Sequence, residues 1–171
     1  MKKLDYYSED EWSTILATPQ LVGLAMAGAG SSGILGSTKE MFASARSLMT
    51  AKDEYSSNAL IQAIVPNTTE VSKAMEDAKK QRSIIMEKLK SKNIKTSEDL
   101  TEMILSNCKN VVTLLEGKES VEVVTEYKKW ILEIAEKVAN AAKEGGFLGF
   151  GGERFSEKEQ ELFEKLKSTL A

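Results

Sequence analysis

The second half of the chain repeats its hydrophobic residues at intervals of three and four positions, the spacing that places them on one face of an α-helix. This pattern predicts three long amphipathic helices with short connections, which favours antiparallel neighbours in a bundle. The first runs to about Lys92, the second begins at Thr96 or Ser97 and stops at Gly117, and the third ends before Gly145. Their hydrophobic positions are Val71, Ala74, Met75, Ala78, Ile85 and Leu89 in the first, Leu100, Ile104, Val111 and Leu115 in the second, and Val124, Ile131, Ile134, Val138 and Ala142 in the third.

The first third of the chain predicts shorter helices. Ser8 and Glu11 have the spacing of a capping box, in which a hydroxyl and a carboxylate satisfy backbone amides at a helix start, and this helix is expected to end near Ala17. Pro19 suits the first turn of a new helix, because it has no amide hydrogen to lose there. The new helix is apolar on nearly every side, so we expect it to be the most buried one. Its apolar residues are Leu21, Val22, Leu24, Ala25 and Met26.

No charged residue lies between Glu11 and Lys39. A span of that length could cross a bilayer if it were apolar throughout, but polar residues and glycines interrupt it, so we expect a buried core helix instead. The stretch from Gly28 to Gly36 predicts a tight turn, because each glycine inside a helix costs about 1 kcal/mol relative to alanine.

Three further short helices complete the predicted set. Ser37 or Thr38 is expected to cap one of them, a second covers about Ser57 to Val65, and the last follows a capping box at Ser156–Glu159. The second is expected to end before Pro66, since the residue before a proline disfavours helical backbone angles. Hydrophobic residues at helical spacing are Met41, Phe42, Ala45, Leu48 and Met49 in the first of these helices and Leu162, Phe163 and Leu166 in the last.

Composition supports the same fold class. Of the 171 residues, 42% are hydrophobic and 6% are aromatic, and residues that favour helices predominate over those that favour strands. We therefore predict an all-α fold, a multi-helical bundle of three long amphipathic helices with shorter N-terminal helices and one C-terminal helix. A single domain over 1–171 is expected, in which 1–66 holds the helices rich in small residues, 67–144 the three long helices, and 145–171 a Gly/Phe loop and the last helix.

Charge and residue usage weigh against several functional classes. The net charge of -3 gives no general attraction to nucleic acid. The chain contains no histidine, so it lacks the usual general base near neutral pH, the commonest transition-metal ligand and the usual activator of a serine or cysteine nucleophile. We therefore expect no cofactor and no metal site, and we lean toward a protein that is not an enzyme.

The single cysteine and the N-terminus both indicate a cytoplasmic location. Cys108 has no second cysteine to pair with, and its place near a hydrophobic stripe predicts a small buried side chain rather than a reactive thiol. Lys2 and Lys3 are followed by acidic residues and tyrosines rather than by the apolar run of a signal peptide.

A basic segment precedes Thr96 and contains Glu87 as its only acidic residue. A solvated helix face explains it, with an anionic partner or nucleic acid as the alternative. Its basic residues are Lys79, Lys80, Arg82, Lys88, Lys90, Lys92 and Lys95.

Residues 28–33 match the glycine pattern of dinucleotide-binding proteins, but that pattern requires a preceding strand, and a turn between packed helices is the favoured interpretation. A small anion, either phosphate or carboxylate, is the functional alternative, because the amides of a helix N-terminus and nearby hydroxyl and basic side chains can hold one. The candidate ligand-binding residues are Gly36, Ser37, Thr38, Lys39 and Arg154.

Residues 145–152 place large apolar side chains between glycines. The favoured interpretation is a closing loop that docks Phe147, Leu148 and Phe150 into the bundle. The alternative is a surface patch that meets a protein partner, a second subunit or a membrane interface.

Two strings, SGILGSTKE at 32–40 and AKEGGFLGFGG at 142–152, together resemble a family of small all-helical prokaryotic proteins of uncharacterised function. Trp12, the segment 19–23 and the capping box at Ser156 occur in the same order, so the resemblance extends over most of the chain. It implies an all-helical fold and carries over no catalytic residues and no partner.

The leading functional prediction is a non-enzymatic interaction or adaptor protein, with a protein partner or a second copy of the chain bound to it. One alternative is a binder of a small anionic ligand at the Gly/Ser-rich turn. Another is reversible membrane association through the Gly/Phe loop. Nucleic acid and membranes are the less favoured partners.

Overall fold

The computed structural model describes residues 4–29, 46, 48, 50–65, 76, 79–80, 83, 85–87, 89–143 and 155–171. These residues form helices and connecting turns with no strand among them, which confirms the predicted all-α bundle. Helical residues also occur at 50–54 and between 76 and 91. The helices described from end to end are α1 (Glu9–Ala29), α2 (Ala59–Ile64), α3 (Ser97–Glu116), α4 (Val121–Lys143) and α5 (Glu157–Leu170).

Helix α1 is continuous through Pro19, so the expected break after Ala17 is wrong. Proline offers no amide hydrogen to the carbonyl four residues before it, which here belongs to Ile15. The hydroxyl of Tyr127 in α4 donates to that carbonyl oxygen at 3.2 Å. The helix also continues through Gly28, so the predicted turn does not begin there, and the rest of that turn lies outside the described residues.

The segment of α1 that follows Pro19 and Gln20 is buried on all sides, as predicted, with every residue from Leu21 to Gly28 inside the protein. Helix α1 packs along both α3 and α4 and also contacts α5, which places it at the centre of the bundle. In the described ranges, no helix combines the length and the apolar character needed to cross a membrane.

Three capping boxes set the starts of α1, α3 and α5 where the sequence predicted them. In each box the cap hydroxyl accepts a hydrogen bond from the amide three residues later, and the carboxylate at that later position accepts one from the amide of the cap residue. The pairs are Ser8 with Glu11, Thr96 with Asp99, and Ser156 with Glu159.

The short helix α2 begins two residues after the predicted start and follows a buried cap, Asn58. The Asn58 side chain accepts a hydrogen bond from the Ile61 amide at 3.0 Å and donates from Nδ2 to the Val123 carbonyl and to Glu126 Oε2. One asparagine therefore both starts α2 and fixes it to α4, against which α2 packs.

The helix that precedes α3 ends at Ser91 through a left-handed residue. Asn93 has φ 58°, its amide donates to the Lys90 carbonyl, and the Ile94 amide donates to the Leu89 carbonyl. This pair of bonds is the Schellman motif, which satisfies the last carbonyls of a helix. The predicted end near Lys92 is confirmed.

The helices alternate in direction. Only residues 117–120 connect α3 to α4, so the two helices run antiparallel. Helix α1 also runs antiparallel to α3, because Tyr7 near its start contacts Glu119 beyond the end of α3, whereas Ala29 at its end shares a surface hollow with Ser97 at the start of α3.

The predicted hydrophobic stripes form the core wherever the structure describes them. Tyr127 and Trp130 also belong to the core, in an edge-to-face contact with ring centroids 5.9 Å apart that the sequence analysis did not predict. Phe163 lies at the edge of the core and stacks on Phe155 at 5.3 Å. The buried stripe residues are Ile85, Leu89, Leu100, Ile104, Val111, Leu115, Val124, Ile131, Ile134, Val138, Leu162 and Leu166.

Some predicted features lie outside the described residues, namely the helix cap at 37 or 38, the hydrophobic positions 41, 42, 45, 49, 71, 74, 75 and 78, and the side chain at 142. In the basic segment the described lysines are exposed, which agrees with a solvated face, and Arg82 and Lys88 are outside the description. The exposed lysines are Lys79, Lys80, Lys90, Lys92 and Lys95.

Candidate functional site

A groove of about 390 Å³ lies between α1, α3 and the helix that ends at Ser91. Its apolar side includes the buried Leu21, Ile85 and Leu89, and hydrogen-bonding side chains from α1 and α3 line the rest. The described lining residues are Ser13, Thr14, Leu16, Ala17, Leu21, Ile85, Leu89, Lys92, Met103, Ser106, Asn107 and Asn110.

The groove forms because each helix directs its hydrophobic stripe toward the core and leaves other positions beside it. In α3 the residues Leu100, Ile104 and Cys108 face the core, and this leaves the positions between them for the groove. Small side chains on α1, such as Ala17, leave room that larger ones would fill. The result is a concave site with an apolar base and a polar border.

A hydrogen-bond chain lies along one wall of the groove. Asn107 donates from Nδ2 to Thr18 Oγ1 at 2.7 Å, and the Thr18 hydroxyl donates to the Thr14 carbonyl at 2.9 Å. Thr18 is only 1% exposed and directly precedes Pro19. Asn107 is therefore held in one orientation while it lines the groove, which is the kind of preorganisation that binding sites use.

A second, smaller hollow of about 220 Å³ lies at the end of the bundle where α3 begins. Acidic and basic side chains from α3 and α5 surround it, so it is more highly charged than the groove. Its described lining residues are Ala29, Ser97, Glu98, Thr101, Glu102, Lys158, Glu161, Leu162 and Lys165.

All the site residues predicted from the sequence lie outside the described residues. The candidate anion site and the Gly/Phe loop therefore remain predictions. Ala29, inside the first glycine-rich segment (28–36), and Lys158, close after the second (145–152), both line the smaller hollow. The residues concerned are Gly36, Ser37, Thr38, Lys39 and Arg154 for the anion and Phe147, Leu148 and Phe150 for the loop.

A tyrosine cluster joins the N-terminal segment to the turn between α3 and α4. The hydroxyls of Tyr6 and Tyr7 both donate to Glu119 Oε1, at 2.8 and 2.6 Å. Burial, followed by this hydrogen bond to Glu119, raises the pKa of Tyr6 to about 12 and moves the pKa of Tyr7 further above its ordinary range. Both phenols therefore stay protonated at neutral pH.

Lys118 completes this junction. Its Nζ donates to Glu11 Oε2 at 2.8 Å and to the Tyr6 carbonyl, and it lies 5.2 Å from the centroid of the Tyr7 ring. The hydrogen bond from Lys118, together with the Ser8 amide, lowers the pKa of Glu11. These contacts fix the segment before α1 to the turn that follows the C-terminal end of α3.

Cys108 is fully buried, as predicted, and burial raises the pKa of its thiol to about 12. A thiol in that state is a poor nucleophile, because the thiolate is the reactive form. Among the described residues, no three acidic or cysteine side chains come together in a way that could hold a metal ion.

Sequence analysis missed the groove residues. The signal that was available is the run Ser106, Asn107 and Asn110, three residues of low helix propensity in the middle of an otherwise regular helix. Such residues are often tolerated on a solvated face, so their meaning depends on the neighbouring helices.

Comparison with known proteins gives no match: no family model, no curated protein and no solved structure matches this chain. The resemblance described above therefore stays a prediction.

Proposed function

We propose that this chain is a non-enzymatic interaction protein that binds its ligand in the groove between α1, α3 and the helix ending at Ser91. The groove carries this proposal. Its volume of about 390 Å³ falls within the range of small-molecule sites, roughly 300 to 1,000 Å³, and it combines apolar side chains with a few hydrogen-bonding groups as such sites do.

Among the described residues, the clear pKa shifts give no sign of a group adjusted for acid–base catalysis near neutral pH. General acid–base catalysis works best when a group titrates near the working pH. In the described part of the chain, the clear shifts move each group away from neutrality, upward for tyrosines and the cysteine and downward for carboxylates. The groups are Tyr6, Tyr7, Tyr55, Cys108 and Tyr127 upward and Glu11, Asp99 and Glu161 downward.

The location and the wider partnership are parts of the same proposal. We place the protein in the cytoplasm, since its one cysteine is a free buried thiol. An adaptor role, in which a protein partner or a second copy docks on the bundle, is the form of interaction that the sequence analysis favours.

A fragment screen by ligand-observed NMR tests the groove. Ser106 is exposed and lines the groove, so Ser106→Trp should fill it with little effect on folding. We expect the wild type to bind several fragments and Ser106→Trp to lose most of them, because the indole occupies their space.

Thr113→Trp is the matched control, since Thr113 is an exposed hydroxyl residue on the same helix outside the groove. This variant should bind the same fragments as the wild type. A wild type that binds no fragment, or fragments that bind Ser106→Trp equally well, would contradict the proposal.

A further inference from the structure

The groove has two chemically different ends. Because α1 and α3 run antiparallel and Thr18 meets Asn107 between them, Ser13 lies near Asn110 at one end, and Leu21 lies near Met103 at the other. The turn after Lys92 leads directly into the start of α3, so Lys92 belongs to the Met103 end.

Among the described lining residues, charge is present at only one of these ends. Among the described residues that line the groove, Lys92 is the only ionisable one, and no carboxylate accompanies it. The Schellman bonds at Asn93 occupy the carbonyls of Leu89 and Lys90, which would otherwise oppose an anion at this helix end. The Met103 end therefore favours a negatively charged group.

The opposite end offers neutral hydrogen-bonding groups. Ser13 and Asn110 are exposed, and within the described part of the chain their side chains make no hydrogen bond to protein. Between the ends, Leu16, Ala17 and Leu89 provide an apolar middle. From Met103 to Asn110 the helix advances by about 10 Å at roughly 1.5 Å per residue, which sets the length of a ligand that reaches both ends.

We infer that the groove binds an elongated organic carboxylate, with its carboxylate at Lys92, an apolar body along Leu16, Ala17 and Leu89, and a hydrogen-bonding group at Ser13 and Asn110. This inference rests on the proposed function, because it names the class of ligand for the same site.

Three related probes separate the two ends: ω-hydroxydecanoate, decanoate and the methyl ester of ω-hydroxydecanoate, each used below its aggregation concentration in titration calorimetry. The extended hydroxyacid is comparable in length to the groove. We expect the hydroxyacid to bind best. The ester should bind more weakly because it has no charge, and decanoate should bind about threefold more weakly because it has no hydroxyl.

Two variants assign these losses to residues. Lys92→Gln should weaken binding of the hydroxyacid about threefold and leave binding of the ester unchanged, as expected for an exposed ion pair. Lys90→Gln, which makes the same charge change on an exposed lysine outside the groove, should have no such effect. Asn110→Leu should make decanoate and the hydroxyacid bind alike, and Asn140→Leu on the exposed side of α4 should not.

The failures of the two proposals differ. The probes could compete with groove fragments while their affinity depends neither on the carboxylate nor on Lys92. That result would overturn the ligand class and leave the groove as a binding site. The same conclusion would follow if fragments bind the groove and none of the three probes does. If neither fragments nor probes bind the wild type, both proposals fail.

Discussion

At the scale of single residues, Pro19 removes one hydrogen bond from the middle of α1. Proline inside a helix costs about 3 kcal/mol, since it lacks an amide hydrogen and its ring crowds the carbonyl four residues earlier. Here that carbonyl belongs to Ile15 and accepts a hydrogen bond from the buried hydroxyl of Tyr127. A side chain of another helix therefore supplies the donor that proline lacks.

Tyr127→Phe should lower the free energy of unfolding by about 1 to 3 kcal/mol, because it leaves the buried Ile15 carbonyl without a donor. Urea unfolding followed by circular dichroism measures this. The ring stays in place, so packing changes little.

Pro19→Ala supplies the control for that prediction. Alanine restores an amide at position 19, which can donate to the Ile15 carbonyl in place of the phenol. In a double-mutant cycle, Tyr127→Phe should then cost less than it does beside proline. An equal cost in both backgrounds would show that the hydroxyl does not substitute for the missing amide.

At the scale of helices, the C-terminal end of α3 and that of the helix before it differ in backbone conformation. Gly117 stops α3 as predicted, yet it has φ -82° and ψ -13°, which any residue adopts. Asn93 ends the preceding helix with φ 58°, a left-handed conformation that favours glycine and tolerates asparagine. The end marked by glycine does not require glycine, whereas the end without glycine does require a residue that accepts a positive φ.

Alanine substitution should therefore affect the two ends in opposite directions. Asn93→Ala should destabilise the protein by about 1 to 2 kcal/mol, because Cβ disfavours the left-handed conformation. Gly117→Ala should be neutral or stabilising by up to about 1 kcal/mol, since it restricts the unfolded chain. The added Cβ would lie 3.5 Å from the Leu114 carbonyl oxygen, an ordinary contact.

Denaturant midpoints of the two variants test this contrast. Asn93→Gly is the control and should match or exceed the stability of the wild type. If Gly117→Ala lowered the stability as much as Asn93→Ala does, the assignment of the left-handed residue would be contradicted.

At the scale of the whole molecule, the uncharged half of α1 fills the centre while tyrosines tie distant parts of the chain together. All four tyrosines of the sequence are in the described residues, and each has a raised pKa with burial as the largest cause. Tyr6 and Tyr7 join the N-terminal segment to Glu119, and Tyr127 joins α4 to α1.

Alkaline unfolding should therefore be cooperative. A group whose pKa is raised in the folded state contributes stability that is fully present below its unfolded pKa, about 10 for tyrosine, and that is lost as the pH rises through the folded value. We expect little tyrosinate absorbance at pH about 10, followed by a steep rise that coincides with the loss of helical circular dichroism. Ordinary tyrosine titration in a protein that remains helical would refute this.

Glu119→Gln tests the contribution of the tyrosine cluster to that behaviour. The carboxylate is the second cause of the raised pKa of Tyr6 and Tyr7, after burial. In the variant, both should ionise at lower pH than in the wild type while Tyr55 and Tyr127 do not change. A titration identical to that of the wild type would mean that Glu119 has no influence on the cluster.

Short-range signals made the helices predictable. A capping box joins residues three positions apart, as in Ser156 with Glu159, and the hydrophobic stripe of α3 repeats within a single helix, so local sequence determined both. The all-α class, the starts of the three helices with capping boxes and the burial of the segment from Leu21 to Gly28 followed from such local patterns, because their energies depend on neighbours along the chain.

Tertiary structure alone decided whether Pro19 breaks α1 and where the groove lies. The donor that replaces the missing amide comes from Tyr127, 112 residues after the Ile15 carbonyl that accepts it. The groove takes Ser13 from α1, Leu89 from the helix before Asn93 and Asn107 from α3, so no single stretch of sequence contains it. Contacts between residues far apart in the chain depend on how the helices pack, and a periodic pattern states which face of a helix is buried but not which helix it meets.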